Sequence, residues 1–427
     1  MPPRPTRIPT RPRAPVWLMG LSNATIGLVG GFIVLPLPQM LAAQGVPELK
    51  IAAVSAACLS PGFWVFLLGP LLDIRFSRRW YATLFAALAG ICLTFAVFLR
   101  GHLLTLEIFV MIAYAASVLS SNALGGWLAG VIPDVAEAER DNPNHEGAKL
   151  SAWTQVGLFL GNGLMAGLAA EGLRHLPLTA IAPLLGLLVF LPAAIFPWIP
   201  VPEATPQEAA QSVRGRALDG FHNLFLELRA LLKRREVLLM LLLFTAPTGS
   251  FALTNQLSGV AHDFHASDAF VGRMGGAVLS LAGAIGALLL PILSRRIKAL
   301  PLYLLIGTVG SLFTLALFFL PRSPATFAIA FLGENIVQAL SFTAAVAICF
   351  ATIGRANPLA ATQFSLLTSA TVLPILYMGV LDGRTYGSQG LAGMYLADGS
   401  LSLAACILMA ALMAWLARRS TASNTAS

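Results

Sequence analysis

Twelve runs of apolar residues occupy most of this 427-residue chain, each long enough for the helix of about 20 residues that crosses roughly 30 Å of hydrocarbon. They are Val16 to Leu41, Ile51 to Leu72, Tyr81 to Leu99, Leu104 to Ile132, Leu150 to Ala170 and Leu178 to Pro200. The second six are Val237 to Ala261, Ala269 to Leu293, Leu302 to Leu320, Ala325 to Ile353, Leu359 to Leu381 and Leu391 to Leu416. A chain in lipid must satisfy its own backbone hydrogen bonds, and the helix is the open element that does so. The predicted fold is an all-α membrane protein with twelve transmembrane helices. Its charged content of 11%, against about 25% in soluble domains, agrees.

Lys and Arg remain on the cytoplasmic side in short loops. With the termini and every even-numbered loop on one side, only Lys50, Arg100, Arg174, Arg273, Arg322 and Arg384 of the 27 basic residues fall on the other. Both termini are therefore expected in the cytoplasm. The same asymmetry accounts for the net charge of +8 without nucleic acid. The leader MPPRPTRIPTRPRAP resembles a signal-peptide n-region, but the apolar run after it exceeds the roughly 7 to 15 residues of an h-region and reads as a retained helix. Cys58, Cys92, Cys349 and Cys406 all fall within predicted spans, where they pack as small apolar residues.

The longest hydrophilic segment, residues 202–236, separates an N-terminal six-helix unit (1–201) from a C-terminal one (237–427). Within it, Leu218, Phe221, Phe225, Leu228 and Leu232 repeat at three or four and precede Lys233, Arg234 and Arg235. This pattern predicts an amphipathic helix lying on an anionic leaflet or solvated as a linker. LLGPLLDIRFSRR at the end of helix 2 echoes LLLPILSRR at the end of helix 8, with Pro70 and Pro291 in corresponding places. Repeated halves about a midplane site build many secondary transporters.

Glu334 lies nine residues into the predicted helix 10, about 14 Å along its axis and near the centre of the hydrocarbon. Insertion there costs about 2.5 to 3.5 kcal/mol, and such acids usually face a cavity or a partner. Asn335 is adjacent, and Gln338 and Ser341 continue a polar stripe. Glu334 is predicted to face an aqueous cavity and carry a proton, the other reading being a protonated acid joining helices. Asn23 in helix 1, Tyr114, Ser117 and Ser121 in helix 4, Gln155 and Asn162 in helix 5, and Thr245, Thr248 and Asn255 in helix 7 together suggest a polar lumen, although singly each also suits helix-to-helix bonding.

Asp73, followed by Arg75, Arg78 and Arg79, is placed to form a charge network that holds helix ends together in one conformation. Gly157, Gly161, Gly163 and Gly167 in helix 5, and Gly272, Gly275, Gly276, Gly283 and Gly286 in helix 8, give faces for close backbone approach. His262 and His265 in HDFH have no fixed third ligand, so no metal is expected. A GxxxxGK[ST] loop and a complete HExxH are absent, and no cofactor is expected.

The layout and the Asp- and Arg-bearing loop after helix 2 resemble the major facilitator superfamily. PLLDIRFSRRW, GENIVQALSFTAA, NPLAATQFSLLTS (Asn357 to Ser369) and GVLDGRTYGSQGLAGMYLADG resemble its peptide/acetyl-coenzyme A transporter branch, which includes AmpG-like muropeptide permeases. The resemblance implies two pseudo-symmetric six-helix bundles, alternating access, a cavity lined chiefly by helices 1, 4, 7 and 10, and proton coupling. By position it implies cavity or coupling roles for Glu334, Asn335 and Gln363, and a cytoplasmic gate at Asp73 and Arg78. Permeases of the branch tend to carry acids in helix 4, whereas SSNALGGW (Ser120 to Trp127) has none, and the Asp-to-Arg spacing after helix 2 is one residue longer than usual. Siderophore importers are similar to the same branch.

The expected protein is a monomeric, proton-coupled transporter of the bacterial inner membrane that imports a muropeptide-like or siderophore-like solute. Its expected partners are that solute, protons and the bilayer. Asn23, Tyr114, Ser121, Thr248, Asn255, Asn335, Gln338, Ser341 and Gln363 are the expected solute contacts. A polytopic acyl or glycosyl transferase using Glu334 as general base is the alternative from another class, and it lacks an evident catalytic partner. A transporter-like sensor is the third, with little room for a signalling domain.

Overall fold

The structure, a computed structural model, describes residues 14–73, 76–131, 143–201, 229–248, 252–353 and 357–424. Its N-terminal bundle contains α1 (Val16–Leu21, Ala24–Val34 and Pro36–Ala43), α2 (Glu48–Leu59, Pro61–Trp64 and Val65–Asp73) and α3 (Arg78–Phe98). It is completed by α4 (Leu103–Ala129), α5 (Pro143–His175) and α6 (Leu178–Phe190, continuing through Leu191–Trp198). The C-terminal bundle contains α7 (Arg235–Thr245, Leu253–Leu257 and Ser258–Phe264), α8 (Asp268–Arg273, Met274–Val278 and Leu279–Leu293), α9 (Ala299–Leu317) and α10 (Pro324–Ile353). Ala360–Ala370 opens α11, and one long helical stretch, Leu373–Asn424, supplies the rest of α11 and all of α12. This is an all-α fold of twelve transmembrane helices in two six-helix bundles.

Helix α3 illustrates why these segments settle as they do. Ala82, Ala86, Ala89, Leu93 and Ala96 form a buried stripe, while Leu84, Leu88, Ile91, Phe95 and Phe98 lie exposed on the other side. Small residues face neighbouring helices so that backbones approach closely, and large apolar ones face lipid.

Two breaks redirect the chain. The sequence predicts an unbroken helix 7 from Val237 to Ala261, but the helix stops at Thr245 and resumes at Leu253. Pro247 is the cause. A residue before proline is driven out of helical geometry, and Ala246 is extended at φ −77°, ψ 147°. At Gly390, φ 65° and ψ −155°, the chain turns back from α11 into α12 through a conformation open to glycine alone at low cost. The predicted amphipathic segment lies largely outside the described residues, which resume at residue 229 and bury Leu231 against Val237 and Leu359.

Within the bundles, α3 packs on α4 and α6, and α9 packs on α10 and α12. Between them, α5 meets α8 and α10, while α11 meets α2 and α4. These contacts position the candidate site.

Candidate functional site

The face where α1 begins and α12 ends is closed by a clasp between the bundles. Arg78 donates from Nε to Asp73 Oδ1 at 2.9 Å, and its NH2 reaches the carbonyls of Asn357 at 3.0 Å and Pro358 at 2.9 Å. Asp73 in turn accepts from Ala361 N (3.2 Å), Thr362 N (2.8 Å) and Thr362 Oγ1 (2.8 Å). The first N–H groups of a helix have no partner within it and carry partial positive charge. The helix beginning at Ala360 has no side-chain cap of its own, so a carboxylate from the other bundle supplies one. Arg75, expected beside this pair, lies outside the described residues.

Close packing extends the clasp inward. Asn122 Nδ2 of α4 donates to Ser365 Oγ of α11 at 2.8 Å, and a Cβ at Gly126 would stand 2.6 Å from the backbone of Ala361. On the other seam, a Cβ at Gly163 of α5 would meet Ser280 of α8 at 2.8 Å, and one at Gly283 would meet Phe159 at 2.6 Å. Toward the opposite face the packing is looser, since nothing lies within 4 Å of a Cβ at Gly167, Gly272, Gly275 or Gly276.

In the N-terminal bundle, Ser121 Oγ donates to Asn23 Oδ1 at 2.7 Å, and Asn23 Nδ2 reaches the Thr154 carbonyl at 3.4 Å. Half-buried Tyr114 and Asn162 lie beside Gly30. A separate cavity of about 1100 Å³ opens between the far ends of α1, α3 and α5, with Gln39, Gln44, Arg100 and Arg174 on its wall. None of the predicted site residues lines it.

The C-terminal bundle departs from several expectations. Glu334 does not face an open cavity; it is 0% exposed, with Oε1 2.7 Å from Thr314 Oγ1 of α9. The physical reason is the helical face, because α10 packs this side against α9 through Gly333 on Phe313 and Gly310 on Val337. Thr314 Oγ1 is also 3.1 Å from the Gly310 carbonyl. Its single hydroxyl hydrogen serves one of these oxygens at a time.

Asn335, Gln338 and Ser341 are likewise buried. Asn335 projects about 100° away around the helix from Glu334, and its Oδ1 has no hydrogen-bond partner. Thr248 is sealed, with its hydroxyl donating to Tyr303 OH at 3.1 Å and its carbonyl accepting from Cys406 Sγ at 3.1 Å. Gln363 is buried at the clasp, where Asn357 Nδ2 donates to its Oε1 at 2.6 Å. The structure therefore places both in helix-to-helix contacts, apart from any shared opening. Asn255 is exposed. His262 pairs with its neighbour Asp263 at 3.2 Å, and among the described residues no group of three ligating side chains converges.

Sequence reasoning passed over two acids. Asp382 and Asp398 are buried at 0% and 1% exposure. Asp398 lies within the predicted helix 12, so the rule that drew attention to Glu334 applied to it equally. Asp382 sits one residue beyond the predicted end of helix 11.

Residues 19–371 match the family model described as Major Facilitator Superfamily. No curated protein matches the sequence. Among solved structures, the chain is similar to the proton:xylose symporter XylE bound to 6-bromo-6-deoxy-D-glucose, with 14% identity, a TM-score of 0.64, and 92% of this chain and 95% of that one covered. It is also similar to a variant of the E. coli fucose:proton symporter FucP, with 12% identity, a TM-score of 0.68, and 93% and 97% coverage. At such identities the likeness concerns the fold.

Proposed function

The chain belongs to the major facilitator superfamily, and from that premise we propose that it is a proton-coupled secondary transporter working by alternating access. The observation that carries this reading is the asymmetry between the two faces: the face where α1 begins and α12 ends is clasped by Asp73, Arg78 and the start of α11, while the packing of α5 on α8 loosens toward the other. One conformation of a rocking pair of bundles has this form. With the basic loops in the cytoplasm, this is the outward-facing state in the inner membrane, with both termini inside and residues 202–236 linking the halves.

Proton coupling draws support from a carboxyl group buried at midspan in α10 and from the two symporters that share the fold. For the solute, we propose a medium-sized polar or amphiphilic molecule of the cell-wall sugar-peptide or siderophore kind, taken inward. The supporting feature is the resemblance of Asn357 to Ser369 to the muropeptide-permease branch, and these residues build the clasp. On the N-terminal side Asn23, Tyr114 and Ser121 present neutral hydrogen-bonding groups suited to such a solute.

Uptake by proteoliposomes carrying the full chain tests the reading. With an inward proton gradient, a labelled disaccharide-peptide of the cell wall or a ferric siderophore should accumulate above its external concentration, and a protonophore should abolish the accumulation. Equilibration without accumulation would refute proton coupling, and indifference to both solutes would refute the solute class.

A further inference from the structure

The cavity of about 1100 Å³ at the far end of the N-terminal bundle is bounded by all three helix connections of that end. Met40 and Gln44 line it where α1 passes into α2, Phe98 and Arg100 where α3 passes into α4, and Arg174 and Leu178 where α5 passes into α6. Gln44 Nε2 donates to the Arg100 carbonyl at 3.1 Å and ties two of these connections together. The wall therefore combines two guanidinium groups with apolar side chains.

Basic residues are scarce on this face. Of the six that the positive-inside reading leaves here, Arg100 and Arg174 share one cavity wall. Arg100 is half-buried and Arg174 exposed, and among the described residues neither takes part in an ion pair. Glu171, one turn before Arg174, is engaged by His175 at 2.9 Å. An arginine offers a planar fork of N–H donors that matches the oxygens of a phosphate.

Depth and neighbourhood indicate which phosphate. Helix α3 runs 21 residues from Arg78 to Phe98, about 31 Å, so it consumes the thickness of the hydrocarbon and leaves Arg100 at the level of the headgroups. Phe98 is 41% exposed and is the last member of the stripe through Leu84, Leu88, Ile91 and Phe95 that faces lipid. Because the same residue lines the cavity, the opening adjoins the bilayer. We propose that the cavity binds an anionic phospholipid of the outer leaflet, with its phosphate between Arg100 and Arg174 and the upper part of an acyl chain against Phe98, Met40 and Leu178. The leaflet follows from the orientation proposed above, whereas the site itself requires neither proton coupling nor solute.

Lipid binding at this wall can be read locally. The full chain carrying Phe98→Trp is reconstituted in phosphatidylcholine liposomes, and its emission minus that of the parent chain isolates position 98. Phosphatidylglycerol brominated near the head of its chains should quench this emission at lower mole fraction than phosphatidylcholine brominated at the same carbons. The binding constant of the first lipid relative to the second should be roughly 25, about fivefold for each arginine. Arg100→Gln or Arg174→Gln alone should lower it about fivefold, and the two together should bring it to about one. Arg100→Lys with Arg174→Lys keeps both charges and should retain most of the preference. A relative constant near one in the starting protein, or one that the paired glutamine substitutions leave unchanged, overturns the proposal. Lysine variants that lose the preference as fully as the glutamine variants overturn it too, since charge would then not hold the lipid. Inorganic phosphate that removes the preference at constant ionic strength makes a soluble anion the occupant and overturns the lipid. Failure of proton-driven uptake bears on the transport reading alone.

Discussion

In the N-terminal bundle, Asn23, Ser121 and Thr154 meet across α1, α4 and α5 as neutral groups, and Tyr114 and Asn162 stand half-buried nearby. In the C-terminal bundle, Glu334, Asp382 and Asp398 are buried outright among α9, α10, α11 and α12. A neutral hydroxyl or amide recognises a solute without responding to pH, whereas a buried carboxyl must gain or lose a proton when its surroundings change. On the proposed reading, the difference assigns solute recognition and coupling to different halves, which relative movement of the bundles would link. Asp73 is where they touch with charge, as an acid of one bundle caps a helix of the other.

The sharpest way to break this division is Glu334→Gln. Uphill, proton-driven uptake in proteoliposomes should be lost, while solute exchange at equal concentrations persists, because exchange needs no net proton movement. Unchanged accumulation would remove Glu334 from the coupling half. The clasp comes next. Truncating a buried member of a hydrogen-bonded charge pair costs about 2 to 5 kcal/mol, and Arg78 is 23% exposed, which favours the low end. Arg78→Ala should thus move the balance away from the clasped state by about 2 kcal/mol, or roughly 30-fold. Spin-label distances across the basic face measure the change, and a distribution identical to the wild type would mean that the clasp holds nothing.

Much of this was legible in the sequence, and the rest failed for physical reasons. Span lengths disclosed the helices because hydrocarbon thickness fixes them, and α10 was read to within one residue at its start. The depth of Glu334 was also readable, since depth is counted along one helix. Which neighbour it faces was not, because that depends on how α9 packs. Asp73 and Arg78 could be seen as a network, but its acceptors at Asn357 and Pro358 and its donors at Ala361 and Thr362 are backbone groups that no side-chain pattern marks. The doubling back of α11 into α12 depends on a turn at a single glycine, Gly390, in a stretch with many glycines.

Two smaller substitutions sharpen the comparison. Gly163→Ala places a methyl 2.8 Å from Ser280 on the closed part of the seam between α5 and α8, whereas Gly167→Ala, one turn on, meets nothing. Overpacking costs about 1 to 3 kcal/mol. Gly163→Ala should therefore lower the melting temperature and shorten the lifetime of the clasped state, while Gly167→Ala should leave it as it is and hinder closure of the opposite face. Equal effects of the two would mean that the seam is no looser at Gly167 than at Gly163.

The mildest test, Ser121→Ala, asks whether the neutral half recognises solute without coupling it. The substitution removes one neutral hydrogen bond to Asn23, worth about 1 kcal/mol. KM for uptake should rise by roughly fivefold, with the ratio of protons to solute unchanged. That ratio is the informative quantity. If it falls along with affinity, Ser121 takes part in coupling, and the separation between a recognising half and a protonating half fails at the residue where it is easiest to examine.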